Sequence, residues 1–378
     1  MKALREHPAP NRFNPAGYFT RSTTVPVLAL VCVMLAVIIG CGRDDTGSSA
    51  LNSSAASSDT KIAYVTNGVA QFWVIAEKGV ANAGEELGVQ TETVMPTEGA
   101  TSQQRILEDL VSRGFDGIAV SPIDPENQTG LINEIAGYSK VITHDSDAPN
   151  SDRLAYIGVD NYTAGRMCGD LVRRAIPDGG KVAIFIGRTE QDNAKRRRQG
   201  TIDAILGRDP DPNRFDPPST TLKENGYEIV GTYTDQFDRS AAKNNAEDVL
   251  SRHGDIAAMV GLFAYNPPLI LEALRGADKL GDVKVIAFDE DDATLQGIID
   301  GHVFGTIVQN PYQYGYESVR VLNGLINGET LDQLGFENGN VLHIPPREIT
   351  AENVEPFWEE LKKNVGDPSA ETGADSAT

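Results

Sequence analysis

The chain has 378 residues, 40% of them hydrophobic and 23% charged, values of a globular protein long enough for two domains that each bury a core. Its formal net charge is −21, and the acid lies beyond residue 40, because the start is basic, with Lys2, Arg5, Arg12 and Arg21 against Glu6. A surface this acidic repels phosphate backbones and anionic headgroups, which excludes nucleic acid as a partner.

The first predicted element is the uncharged run Val25 to Ile39, set between that basic start and Gly40-Cys41-Gly42-Arg43. A membrane-spanning helix needs about 20 apolar residues and the apolar part of a signal peptide about 7 to 15, so residues 1–40 read as an export signal. Ile38-Ile39-Gly40-Cys41 resembles a bacterial lipobox, which implies acylation of Cys41 and a membrane-anchored lipoprotein of the cell envelope. It departs from that pattern at Ile38 and in the length of its leader. The alternative is an uncleaved anchor, and either reading puts the globular part outside the cytoplasm, in the periplasm. Residues 41–59 are rich in Ser, Ala and Gly without apolar period and read as a flexible tether. With Cys32 in the signal and Cys41 acylated, Cys168 remains alone and no internal disulfide is available.

From Lys61, short β-rich runs alternate with amphipathic helical patterns, the mark of βα units and a parallel sheet. The first series runs strand 62–66, helix 72–87, strand 90–94, helix 102–112, strand 117–120, a helix near 129–136, strand 140–143 and strand 154–158. A second series comes next: helix 163–175, strand 181–186, helix 193–206, strand 228–233, helix 240–251, strand 257–262, helix 267–275. It closes with the unit VKVIAFDEDDATLQGIIDGHVFGTIVQNP, Val283 to Pro311. The fold class is therefore α/β, two doubly wound parallel-sheet lobes with a ligand cleft between them and hinge crossovers joining them. The expected partition is residues 60–161 plus 310–338 for the N-terminal lobe and 162–309 plus 339–363 for the C-terminal lobe. Residues 208–226, with four prolines, read as an irregular surface loop, and 364–378 as a disordered tail.

Ligands of open parallel sheets sit beyond the carboxyl ends of the strands. The residues at those ends are Asn67, Ser121, His144 to Asp147, Asp160-Asn161, Arg188, Phe237-Asp238, Tyr265-Asn266, Asp289 and Gln309. Each alone reads as a turn or cap residue, but in succession they form a set able to saturate the hydroxyls of a neutral polyol. Phe72-Trp73, Phe237 and Tyr265 supply rings for the C–H faces of a sugar. Phe72 and Trp73 are adjacent, so one of the two is expected to face the cleft. His144 reads as a turn residue shaping the cleft rim. The acid clusters at 145–147 and 289–292 lack the glycine and terminal glutamate of a calcium loop, so no metal is expected. No G-x-G-x-x-G follows the first strand and no H-E-x-x-H occurs, so neither a cofactor nor catalytic residues are expected and the chain reads as no enzyme.

In register over some 270 residues, these positions resemble the periplasmic sugar-binding proteins of ABC importers, ribose-binding type, which share a fold with LacI-type ligand domains. The resemblance implies a type I periplasmic binding protein fold. It places ligand contacts at Phe72, Trp73, Ser121, Asp145, Arg197, Phe237, Asn266, Asp289 and Gln309. It also implies a monomer that closes on a neutral monosaccharide and delivers it to a permease in the inner membrane. Presentation of the sugar to a membrane sensor kinase is the alternative. Ser146 stands where ribose binders carry an arginine, and their asparagines near Ala70 and Ser121 are missing, which puts ribose itself in doubt.

Overall fold

The computed structural model describes residues 59–337 and 339–365. The predicted leader, Cys41, the tether up to residue 58 and the tail beyond 365 lie outside the described residues. The first lobe is built from β1 (Lys61–Val65), α1 (Gln71–Leu87), β2 (Gln90–Val94), α2 (Ala100–Ser112), β3 (Gly117–Val120), α3 (Pro125–Ala136), β4 (Lys140–His144) and β5 (Tyr156–Gly158). The second contains α4 (Asn161–Ala175), β6 (Gly180–Ile186), α5 (Asp192–Ile205), β7 (Leu222–Glu224), β8 (Tyr227–Thr234), α6 (Arg239–Arg252), β9 (Ile256–Gly261), α7 (Asn266–Gly276), β10 (Lys284–Phe288), α8 (Asp292–Ile299) and β11 (Val303–Val308). The chain then returns with α9 (Pro311–Ile326) and β12 (Val341–His343), and crosses again to β13 (Arg347–Thr350) and α10 (Val354–Val365).

The sheet orders are β12-β5-β4-β3-β1-β2 and β13-β11-β10-β9-β6-β8-β7, so β1, β2, β3, β4 and β5 have their counterparts in β6, β8, β9, β10 and β11. Burial explains the strand sequences. β1 and β3 are covered by helices on both faces and are apolar apart from Lys61 at the start of β1, whereas the edge strand β2, QTETV, stays partly exposed. In each lobe two helices cross at glycines. A Cβ on Gly200 of α5 would lie 2.0 Å from the Tyr162 carbonyl oxygen of α4, and one on Gly315 of α9 would lie 2.1 Å from that of Ala76 on α1. Only a missing side chain lets these helix backbones touch, and the contact fixes how α5 presents its first turn to the cleft.

The crossovers are capped by short polar side chains. Asp160 accepts from the amides of Tyr162 and Thr163 at 3.0 and 3.1 Å where α4 begins, and Asn310 accepts from Gln313 N at 3.1 Å where α9 begins. The third crossing falls later than expected. β12 pairs in parallel with β5, so 341–343 belong to the first sheet and the switch lies between His343 and Arg347 rather than at 339. The 208–226 segment is likewise more ordered than its prolines suggest. β7 forms an antiparallel hairpin with β8, and the buried Asp203 accepts from Arg214 at 2.8 Å and from the Tyr162 hydroxyl at 2.7 Å. Arg208 adds ion pairs to Asp216, at 2.7 Å, and to Glu224.

Candidate functional site

β4 and β10 occupy equivalent places in the two sheets, and an aspartate follows each. Asp145 and Asp289 both adopt the left-handed backbone region, with φ of 57° and 66°, a conformation sparsely used outside glycine and asparagine and concentrated at functional sites. The neighbouring strand holds each in place: Asp145 N donates to Ile157 O at 3.0 Å and Asp289 N to Ile307 O at 2.8 Å. The turn directs both carboxylates into the space between the lobes, where they line one cavity.

Around Asp145, three donors meet the same oxygen. Ser121 Oγ donates to Oδ2 at 3.0 Å, Asn67 Nδ2 at 3.2 Å and Asn193 Nδ2 at 3.0 Å, leaving Oδ1 as an acceptor for the cavity. Asn193 stands in the first turn of α5, so its bond joins the second lobe directly to the first. An exposed ion pair, Lys195 to Glu126 at 2.9 Å, spans the lobes nearby.

In the second lobe Arg197 is 1% exposed. Its Nη1 donates to Leu262 O at 2.9 Å and its Nη2 to Asn161 Oδ1 at 3.0 Å, while the guanidinium carbon lies 3.9 Å from the Phe288 ring centroid. Nη1 is 3.7 Å from Asp289 Oδ2, a buried ion pair that leaves room for a ligand oxygen to join it. Gln309 donates to Asp289 Oδ1 at 2.6 Å and accepts from the Tyr314 hydroxyl at 2.9 Å, and that hydroxyl accepts from Val159 N at 3.0 Å. Tyr314 thus connects the first crossing of the chain, the second crossing and, through Gln309, Asp289.

The cavity has a volume of about 670 Å³. Of the residues expected to contact ligand, Phe72, Trp73, Asp145, Arg197, Phe237, Asp289 and Gln309 line it. Both neighbouring aromatics do so, where one was expected, because the first turn of α1 ends at the cavity and the rings meet edge to face at 4.8 Å. Ser121 and Asn266 are not on the wall. Ser121 is fully buried behind Asp145, and Asn266 donates to Asp235 Oδ2 at 3.0 Å while accepting from Phe263 N at 3.1 Å, so both brace residues that face the cavity or its border. His144 is not at the rim. It is fully buried, stacked on Tyr64 at 3.9 Å with Nε2 3.1 Å from Val65 O, and burial lowers its pKa to about 3, so it is a neutral core residue. Asn193 and Gln191 line the cavity without having been selected from sequence, as does Asn67, which was read there as a strand-end residue. Asn193 lies four residues before Arg197, one helical turn, so the same face was readable once Arg197 was chosen.

Electrostatically the site holds more carboxylate than base. Burial pushes the Asp145 carboxyl up to about 6, with Arg197 acting against the shift and Asp289 adding to it. Asp289 is also raised by burial, with Arg197 opposing. Glu290 is driven well above the carboxylate range by burial and by Asp289. No group of three metal-ligating side chains occurs among the described residues.

Two wound lobes joined by crossovers, with matched aspartates and a buried arginine around a central cavity, define a receptor that encloses a small solute. Residues 62–330 match the periplasmic binding protein domain, and the chain belongs to that family of solute-binding proteins rather than to the enzymes. Its fold is the type I periplasmic binding protein fold. The chain is 25% identical over 286 residues to the ribose import binding protein of Salmonella typhimurium, covering 75% of this chain and 90% of that one. It is similar to the xylose/arabinose-binding protein XylF of Sulfolobus acidocaldarius, 26% identical over 304 residues, 76% of this chain and 69% of the other. Among solved structures, an ABC transporter solute-binding protein from Burkholderia graminis in complex with D-arabinose superposes with a TM-score of 0.70 at 26% identity, covering 79% of this chain and 97% of that one. A XylFII–LytSN complex gives 0.67 at 25% identity, with 78% and 98% covered. No helix among the described residues is long and apolar enough to cross a membrane.

Proposed function

We propose that this chain is an extracytoplasmic sugar receptor that closes its lobes on a monosaccharide, a pentose, hexose or related polyol, and delivers it to an ABC permease. One observation carries the reading: Asp145 from the first lobe and Asp289 with Arg197 from the second border a single cavity, held by crossovers that Tyr314 ties together. Only a closed state lets a ligand touch both lobes, so binding energy and closure are linked. The aromatic rings of Phe72, Trp73 and Phe237 suit the apolar faces of a sugar ring. The sugars for which the relatives are named, ribose, arabinose and xylose, point to the same class. Acylation of Cys41, which would tether the receptor to the membrane, is part of this proposal and is read out by mass spectrometry of the mature N-terminus.

The test is a thermal-shift screen of the full chain against pentoses, hexoses, deoxysugars and polyols. A ligand that binds only the native state stabilises it by about 2.7 kcal/mol at a hundredfold excess over its Kd. A panel in which no sugar raises Tm overturns the reading. The likeness to the XylFII–LytSN complex favours one second reading, presentation of the sugar to a membrane sensor. Sugar-dependent capture of a purified sensor domain, without stimulation of a permease ATPase, would select it.

A further inference from the structure

We propose that the sugar this cleft takes carries an anionic substituent, a carboxylate or a phosphate, held between Arg188 of the second lobe and the N-terminus of α2 in the first. The inference rests on the sugar reading above and departs from the neutral ring expected from the sequence. Besides Asp145, Arg197 and Asp289, the cavity is lined by Pro96, Thr97 and Gly99 of the first lobe and by Arg188 and Gln191 of the second.

Arg188 follows β6 and lays its guanidinium over the Phe237 ring, 5.1 Å from the centroid. Its Nε is buried without a hydrogen-bond acceptor. Among the described residues no carboxylate lies within ion-pair distance of it, whereas the buried Arg153 and Arg197 each have an aspartate. Gln191, next to it, is 0% exposed, and neither its Oε1 nor its Nε2 has a partner, although the side chain lines the cavity. Across the cleft Gly99 caps α2 with φ of 71° and no side-chain hydrogen bond. The first amides of that helix therefore lack intrahelical acceptors and carry its positive end. A Cβ on Gly99 would stand 4.0 Å from Arg188 Nη1, so helix end and guanidinium face each other between the lobes.

Three kinds of donor thus converge from both lobes: a planar fork suited to a two-oxygen anion, a buried amide, and a helix N-terminus. A neutral hydroxyl would satisfy Gln191 but leave the guanidinium without counter-charge as the cleft closes and water leaves. Of the acids that border the cavity, Glu290 is buried with its Oε2 unpartnered, and burial and Asp289 favour its protonated form. Asp145 and Asp289 belong to the Arg197 end, and Asp291 caps α8 by accepting from Ala293 N at 2.9 Å. Glu98 and Glu190, close in sequence, are exposed and pair with no arginine among the described residues.

The experiment is calorimetric titration of the full chain with matched pairs: galactose against galacturonate, glucose against glucuronate, and glucose against glucose 6-phosphate. The acidic partner of at least one pair should bind about tenfold tighter or more. The Arg188→Gln variant should reduce that preference to near parity. The uronate and phosphate pairs distinguish the two anion sources. Gln191→Ala, which leaves the guanidinium in place, should weaken the acidic ligand by a smaller factor. Neutral sugars that bind at least as tightly as every acidic partner overturn the inference and leave the sugar reading standing. A preference that survives Arg188→Gln overturns the site assigned to it. Absence of binding by every sugar, neutral or acidic, removes the sugar reading itself and this inference with it.

Discussion

Asp289→Asn isolates the charge of the second-lobe aspartate. Asparagine keeps an acceptor for Gln309 Nε2, which lies 2.6 Å from Oδ1, and tolerates the φ of 66° at this position nearly as well as aspartate does. The amide also removes a buried carboxyl whose ionised form is disfavoured there, so the ligand-free protein should keep its Tm within a few degrees. The ligand loses a charged acceptor, and a hydrogen bond to a charged group contributes about 1.5 to 3 kcal/mol. Arg197, 3.7 Å from Oδ2, then carries its charge against a neutral amide and orients the sugar less firmly. The expected loss is roughly ten- to a hundredfold in Kd, from about 1.4 kcal/mol per factor of ten. Calorimetry with the sugar found by screening reads the affinity, and a melt without sugar reads the fold. Asp289→Ala is the contrasting perturbation. It leaves the Gln309 amide without its acceptor, at about 1 to 3 kcal/mol, and places a Cβ with no local hydrogen bond in a left-handed backbone, so it should lower Tm as well. Unchanged affinity in Asp289→Asn refutes the assignment of Asp289 as a ligand. A Tm loss as large as that of the alanine variant refutes the argument that its role is in binding rather than in the fold.

Three further outcomes rest on the same geometry. Burial raises the Asp145 pKa to about 6 from 3.8, so between these values the folded state holds more protons at this group than the unfolded chain, and its contribution to stability grows as pH falls from 7 to 4. In chemical denaturation, the stability of the wild type relative to Asp145→Asn should shift toward the wild type by up to about 3 kcal/mol over that range, and a flat difference contradicts the burial argument. His144, held neutral with a pKa near 3, acts in the opposite direction in the same window, which is why the comparison must be made between variants. Gly200→Ala places a Cβ 2.0 Å from the Tyr162 carbonyl, and forcing α4 from α5 should cost about 1 to 3 kcal/mol and weaken sugar binding through Asn193 and Arg197. Gly254→Ala, with nothing within 4 Å, is the control, and equal melting of the two variants removes the packing argument. Cys168 is fully buried with its thiol pushed up to about 12 by burial, so it should resist a thiol reagent in the native protein and react only in denaturant.

What the sequence disclosed and what it withheld divide along a physical line. The two βα series were readable because each strand and helix is specified by its own residues: an apolar run such as KVIAF or a strand-end cap such as Asp160. Asp145 and Asp289 were readable for the same reason, since a polar residue just past a buried strand lies at the ligand edge of a parallel sheet whatever its partners are. The misplacements share the opposite property. Whether a strand-end residue reaches the wall or braces it depends on its partners, and Ser121 and Asn266 fell behind because their side chains are taken up by Asp145 and by Asp235 and Phe263 N. His144 is drawn into the core by Tyr64, a contact between β1 and β4 that no local pattern announces. The third crossing was set too early because a three-residue strand, VLH, gains its identity only by pairing with β5. Gln191 and Asn193 stand at the start of α5 and carry no motif of their own. They acquire meaning only when the lobes approach, Asn193 by reaching Asp145 and Gln191 by finding no partner. Because the two sheets repeat strand for strand, one lobe's ligand positions predict the other's. Arg188 and Gln191 stand after β6 where Asn67 and Ala70 stand after β1, and, facing the bare N-terminus of α2, they are where this receptor should depart from binders of neutral sugars.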